Sequence, residues 1–134
     1  MTSTVGLYVA IYKDEGVYKH WGLFIDGPTE NQQIVLHVEG SSTRFRFDRK
    51  FSNPRYSTKL YELIHLCSVP ISNIAAIDQA AEQAPIHNQY PGYNCQDYVI
   101  ELLNDLERRR LINGRDANYQ GQKALVIGKQ EGLQ

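Results

Sequence analysis

Three residues have the types and placement to do nucleophilic chemistry: Cys95, His20 and His37. Cys95 directly follows Asn94, a good helix N-cap, and precedes a segment with a helical period. A thiol in the first turn of a helix faces unpaired N–H groups and about half a positive charge. That environment favours thiolate, so the thiol pKa is expected to fall from about 8.5 toward neutrality or below. The N–H groups of the same turn also suit a developing oxyanion. The plainer alternative is a small cysteine packing one face of a helix.

The two histidines stand in consecutive apolar strand patterns. His20 lies next to Trp21, and His37 lies between Leu36 and Val38. If these strands form a hairpin across the Asp26–Gln32 loop, the rings become cross-strand neighbours. One is then placed to act as base for a thiol and the other to orient it through a ring-to-ring hydrogen bond. The alternative is a pair of satisfied sheet histidines. Asp26 and Glu39, each at the end of a strand pattern, are further candidates for orienting an imidazole. His65 and Cys67 read as core or sheet surface. His87, in the loop before Cys95, is a minor candidate for lining a cleft.

The elements that must position these residues divide the chain. Val5–Tyr12 is rich in β-formers and ends at Lys13-Asp14-Glu15-Gly16. Val17–Ile25 is a second strand, stopped by Asp26-Gly27-Pro28, and Gln33–Val38 is a third. Thr43–Asp48 alternates, with Phe45 and Phe47 on one face and arginines on the other. Lys59–Val69 is a fifth strand. Short turn-rich connections favour antiparallel meander pairing. The second half changes period. Ser72 is a candidate N-cap for a helix through about Gln83, with Ile74, Ile77 and Ala81 on one face. A polar loop, His87–Asn94, follows. Cys95–Arg109 then carries an apolar stripe of Val99, Leu102, Leu103 and Leu106, with Tyr98 beside it. Asp116–Lys129 is expected to hold a last short helix or strand, and the final Gln-Glu-Gly-Leu-Gln is expected to fray.

Composition narrows the function classes. The chain has 134 residues and 42% hydrophobic content, which suits one domain over residues 1–134 with one core. The 14 basic and 15 acidic side chains leave a formal charge of -1, so no nucleic-acid footprint is expected. The cations Arg108–Arg110 end a helix and complement its dipole. No segment reads as a signal peptide or a membrane span, so a soluble, intracellular (cytoplasmic) protein with reduced thiols is expected. The four histidines and two cysteines include no local metal-ligand pair, so no metal site is expected. Nothing in the sequence decides the oligomeric state.

The segment His20-Trp21-Gly22-Leu23-Phe24-Ile25-Asp26-Gly27 resembles the H-W-A-φ-φ-φ-G strand of the lecithin retinol acyltransferase-like proteins. Those proteins are a circularly permuted branch of the NlpC/P60, papain-like superfamily. Leu36-His37-Val38 resembles their second histidine strand, and Asn94-Cys95-Gln96-Asp97-Tyr98-Val99 resembles their N-C-E-H-F-V motif. The order His, His, Cys is the permuted order. The resemblance spans roughly residues 5–108.

The resemblance implies an α+β domain in which an antiparallel sheet packs against helices, with the permuted papain-like connectivity. It implies Cys95 as nucleophile, His20 as general base and His37 as the residue orienting that base. The backbone amide near Cys95 would serve the oxyanion, with Tyr8 as a weaker second donor. Asn94, Gln96 and Trp21 fall on adjoining motif positions, as weaker oxyanion or substrate-lining candidates. Three departures stand out. Gln96-Asp97 replaces Glu-His, Gly22 replaces Ala, and the tail is polar where membrane-active relatives carry an apolar segment.

The expected chemistry is attack of the Cys95 thiolate on an amide, ester or thioester of a small molecule or peptide-like substrate. The acyl-thioester would then be resolved by water, an amine or an alcohol, as in a hydrolase, an acyltransferase or a metabolite-tailoring step. No cofactor is required. The rival readings are an isopeptidase acting on ubiquitin-like conjugates and a non-catalytic binding module retaining the fold.

Overall fold

Alternating burial sets up the sheet. In β1 (Thr4–Tyr12), Val5, Leu7, Val9 and Ile11 are buried, while Tyr8 and Tyr12 on the other face are half-buried. In β2 (His20–Asp26) and β3 (Gln33–Glu39) every residue between the two ends is buried, so these strands are covered on both faces. Strands β4 (Arg46–Lys50) and β5 (Leu60–Pro70) complete a five-stranded antiparallel sheet of order β4-β3-β2-β1-β5. The computed structural model describes residues 3–13, 16 and 18–131. Asp14, Glu15 and Val17, which the sequence reading assigns to the first turn and the start of the second strand, lie outside the described residues.

Strands β1 to β4 form the expected meander. The fifth strand departs from it, pairing with β1 rather than with β4. Its connection passes through a short 3-10 turn, Pro54–Tyr56, and is pinned to the outer face of the sheet. Arg55 donates to Asp26 Oδ2 at 3.0 Å, and its guanidinium lies 5.3 Å from the Tyr8 ring centre and 5.7 Å from that of Phe24. These contacts carry the chain from one sheet edge to the other, and the sequence spacing gives no hint of them.

The inner face packs on three helices, α1 (Ile74–Gln83), α2 (Cys95–Arg108) and α3 (Ala117–Gly128). The stripe Val99, Leu102, Leu103 and Leu106 is fully buried against β2 and β3. Each such side chain contributes about 1.5–3 kcal/mol by leaving water. Tyr98 joins α2 to α1 by donating to the Ala81 carbonyl at 2.6 Å. Helix α1 is not capped by Ser72, because a 3-10 turn, Ile71–Asn73, intervenes and Asn73 holds the cap position. The last segment is a helix capped by Asp116, which accepts from Tyr119 N at 2.9 Å.

Two boundaries change in ways that matter for the site. The fourth strand begins at Arg46 rather than Thr43, because Gly40 (φ 127) and Thr43 (φ 68) turn the chain in the left-handed region. Phe45 is buried just before it, held by Asn88: its N–H donates to Asn88 Oδ1 and its carbonyl accepts from Asn88 Nδ2, both at 2.9 Å. The expected fraying also needs correction, since Glu131 is tied to the body of the fold. Its N–H donates to Gln96 Oε1 at 2.6 Å, and its Oε1 accepts from Lys19 N at 3.1 Å. Residues 132–134 lie outside the described residues.

Candidate active site

The registers of three strand pairs build a transverse row on the outer face of the sheet. Tyr12 pairs with His20 between β1 and β2, and His37 pairs with Asp48 between β3 and β4. The β2–β3 pairing, Leu23 with Leu36 through Asp26 with Gln33, brings Gly22 opposite His37 when carried outward. His20 is therefore the diagonal neighbour of His37 on the same face.

Gly22 leaves the room this diagonal needs. A Cβ there would stand 2.7 Å from Val35 Cγ1 and 3.5 Å from His37 Cβ. An alanine at this position would collide with Val35.

The row is hydrogen-bonded. His37 Nε2 lies 2.9 Å from Asp48 Oδ2, and His37 Nδ1 lies 2.7 Å from His20 Nε2. The rings are edge-to-face, with centres 4.9 Å apart. The proton positions follow from the partners. A carboxylate only accepts, so His37 Nε2 carries hydrogen toward Asp48. Neutral His37 then accepts at Nδ1, and His20 Nε2 donates to it. The lone pair of neutral His20 is thereby assigned to Nδ1.

Helix α2 supplies the thiol. Asn94 is 3% exposed, and its Oδ1 accepts from Gln96 N at 2.8 Å. Asp97 Oδ2 accepts from Asn94 N at 2.9 Å, closing a capping box. Cys95 is 2% exposed, and its Sγ lies 3.9 Å from the carbonyl oxygen of Lys19, the residue before His20. Gln96 holds that same carbonyl, donating from Nε2 at 2.8 Å. The start of β2 and the start of α2 are thus clamped together.

His20, His37 and Cys95 line one cavity of about 770 Å³, within the range of small-molecule sites. The histidines lie on the outer face by alternation, whereas α2 packs on the inner one. The two meet at the first residue of β2, where the strand starts.

Of the weaker candidates, only Asn94 lines the cavity. Tyr8 does not, because the β1–β2 register sets it opposite Phe24 and under Arg55. The tyrosine beside His20 is Tyr12, two steps further along the same face, with ring centres 6.0 Å apart. Burial pushes its phenol up to about 12, so it remains a hydrogen donor through neutral pH. Trp21 is fully buried in the inner core. Gln96 is fully buried and engaged by Lys19 and Glu131, so its role is structural.

Of the other titratable groups, Asp26 pairs with Arg55. His87 pairs with Glu101 at 3.1 Å, and His65 is exposed on β5. Glu39 lines the cavity, with Oε1 3.7 Å from His37 Nε2. Asp48, which is nearer to that nitrogen, escaped the sequence reading. The signal for it was the hairpin β3–β4, whose register sets residue 48 opposite 37.

His37, Glu39 and Asp48 each offer one ligand atom, and these lie within 4.8 Å of one another. One imidazole and two carboxylates are a donor set that suits a divalent cation. Such an ion would need the His37 Nε2 lone pair, so ligation and the Nε2–H hydrogen bond to Asp48 exclude each other.

The fold and site define a mixed α+β protein, a five-stranded antiparallel sheet with three helices, holding a cysteine and two hydrogen-bonded histidines around one cavity. The chain belongs to a family of unknown function, DUF6540, whose model matches residues 7–113. No curated protein and no solved structure matches the chain. Among the described residues, no helix is long and apolar enough to cross a membrane.

Proposed function

We propose that the chain is a cysteine-dependent hydrolase or acyltransferase of the circularly permuted papain-like class, acting on an amide, ester or thioester of a small or peptide-like substrate. The observation that carries this reading is the hydrogen-bonded row Asp48–His37–His20, whose two histidines line the cavity that Cys95 also lines.

The Cys95 thiol gives its proton to His20 Nδ1. The resulting imidazolium is stabilised through His37 by Asp48. The thiolate attacks the acyl carbon, and the carbonyl oxygen becomes an oxyanion. The positive end of α2 and the Cys95 backbone N–H serve that charge. The capping box takes the N–H groups of Gln96 and Asp97, so these do not contribute. Tyr12, rather than Tyr8, is the phenol placed to donate. Collapse of the tetrahedral species expels the leaving group, which takes the proton from His20. Water, an amine or an alcohol then resolves the thioester, with His20 as base.

One observation favours a second reading, a binding module that keeps the fold: Cys95 is only 2% exposed. Incubation with p-nitrophenyl acetate separates the two. The enzyme reading predicts an acetyl adduct on Cys95 by peptide mass spectrometry, absent in Cys95→Ala and strongly reduced in His20→Ala. No adduct in the unmodified chain, or one confined to Cys67, would rule it out.

A further inference from the structure

The cavity has a charge distribution unlike that of the rest of the molecule. The chain as a whole carries a formal charge of -1. Yet Lys13, Arg46, Lys50 and Lys59 all line the cavity, against one lining carboxylate, Glu39. Among the described residues, none of these four cations is ion-paired with a carboxylate. By contrast Lys19, Arg49, Arg55, Lys123 and Lys129, which lie outside the lining, each are.

The four come from both ends of the histidine row. Lys13 follows β1 and donates its N–H to the Lys59 carbonyl at 2.8 Å, which sets these two side by side ahead of β5. Arg46 and Lys50 alternate onto the same face of β4 as Asp48. The cations thus flank His20 and His37 from the β1/β5 end and the β4 end of the sheet.

Like charges gathered at a cavity repel, and among the described residues seven of the ten cations outside the lining find a carboxylate, Arg44, Arg110 and Arg115 being the exceptions. Leaving these without one costs stability and raises the local concentration of anions. Between them the wall is apolar and aromatic, with Tyr18, Val35, Val38, Phe45 and Tyr93.

We infer that the Cys95 site takes an anionic acyl donor: a small molecule with an apolar or aromatic body and a carboxylate or phosphate group, which Lys13, Arg46, Lys50 and Lys59 hold while its acyl carbon meets the sulfur. This rests on the reading of Cys95 as the nucleophile. The anion requirement is a separate property of the same cavity and can fail alone.

The test compares two alkylating probes of similar size, anionic iodoacetate and neutral iodoacetamide, on the full chain, with glutathione as the reference thiol. The iodoacetate-to-iodoacetamide rate ratio at Cys95 is expected to exceed that of glutathione by at least about fivefold at low salt. It should decline as ionic strength shortens the Debye length below about 10 Å. Lys50→Gln combined with Lys59→Gln should bring the ratio down toward that of glutathione. Lys129→Gln, whose cation is paired with Glu62 outside the cavity, should not change it. A ratio at Cys95 equal to that of glutathione, with iodoacetamide still labelling Cys95, overturns the anion inference and leaves the nucleophile intact.

If iodoacetamide fails to label Cys95, the nucleophile reading falls. The cavity is then tested by NMR titration of Cys95→Ser with inorganic phosphate and with benzoate. Saturable shifts at Lys50 and Lys59 support the anion site, and the stronger of the two probes identifies the group. The absence of shifts with both overturns it.

Discussion

His20 and His37 share a hydrogen bond of 2.7 Å on a diagonal of the β2–β3 pair, because Gly22 rather than His20 stands opposite His37. This offset lets His37 face two partners at once, His20 through Nδ1 and Asp48 through Nε2.

Asp48 fixes the tautomers of both rings. Asp48→Asn keeps the size but offers a neutral group that can also donate, so His37 no longer holds one proton arrangement. Thiol reactivity at Cys95 is expected to fall at least about tenfold, because the group that holds the imidazole tautomers is lost. Imidazole nitrogen NMR shifts should show mixed tautomers at His20, while circular dichroism stays unchanged. Unaltered reactivity would remove Asp48 from the relay.

Gly22→Ala drives a methyl onto Val35 Cγ1, the stiff side chain of a β-branched residue. A loss of about 1–3 kcal/mol in denaturant unfolding is expected. The same shift should part the two rings, so Cys95 reactivity falls as well. A variant as stable and as reactive as the parent would show that the diagonal does not need this space.

Gln96 uses both ends of its amide, Nε2 donating to Lys19 O and Oε1 accepting from Glu131 N. Gln96→Glu turns the first contact into two facing acceptors in a buried place. The expected cost is about 2–3 kcal/mol, read by chemical unfolding, because a buried carboxylate would lack a donor on that side. Gln96→Ala should cost less than Gln96→Glu. The reverse order would mean that the clamp is not held by this hydrogen bond.

Local signals carried much of this account. The N-cap, the stripe from Val99 to Leu106 and the β-rich apolar runs of the first three strands are short-range patterns, and each element formed within a few residues of its expected bounds. His20, His37 and Cys95 were legible because titratable and nucleophilic groups in apolar or capped settings stand out.

The rest depends on pairings distant in sequence. Asp48 was hidden because a strand-terminal carboxylate looks like any other until the β3–β4 register is known. Choosing Tyr12 over Tyr8 requires knowing that residue 12, not 8, faces residue 20. The return of β5 to β1 depends on Arg55 reaching Asp26 and two aromatic rings. The tail's role at Gln96 joins positions 35 apart.

The central claim is that Cys95 is activated by His20, and site-resolved alkylation with iodoacetamide at about pH 6 tests it most directly. Cys67 is the internal control. Burial, with a smaller contribution from Asp116, pushes its thiol up to about 11, so almost none is thiolate at pH 6 and reaction grows only as the pH climbs toward that value. The account predicts that Cys95 is labelled first, that Cys67 stays unmodified, and that His20→Ala and the closer-sized His20→Gln both slow Cys95 at least about tenfold. Faster labelling of Cys67, or a Cys95 rate that ignores the loss of His20, would contradict it.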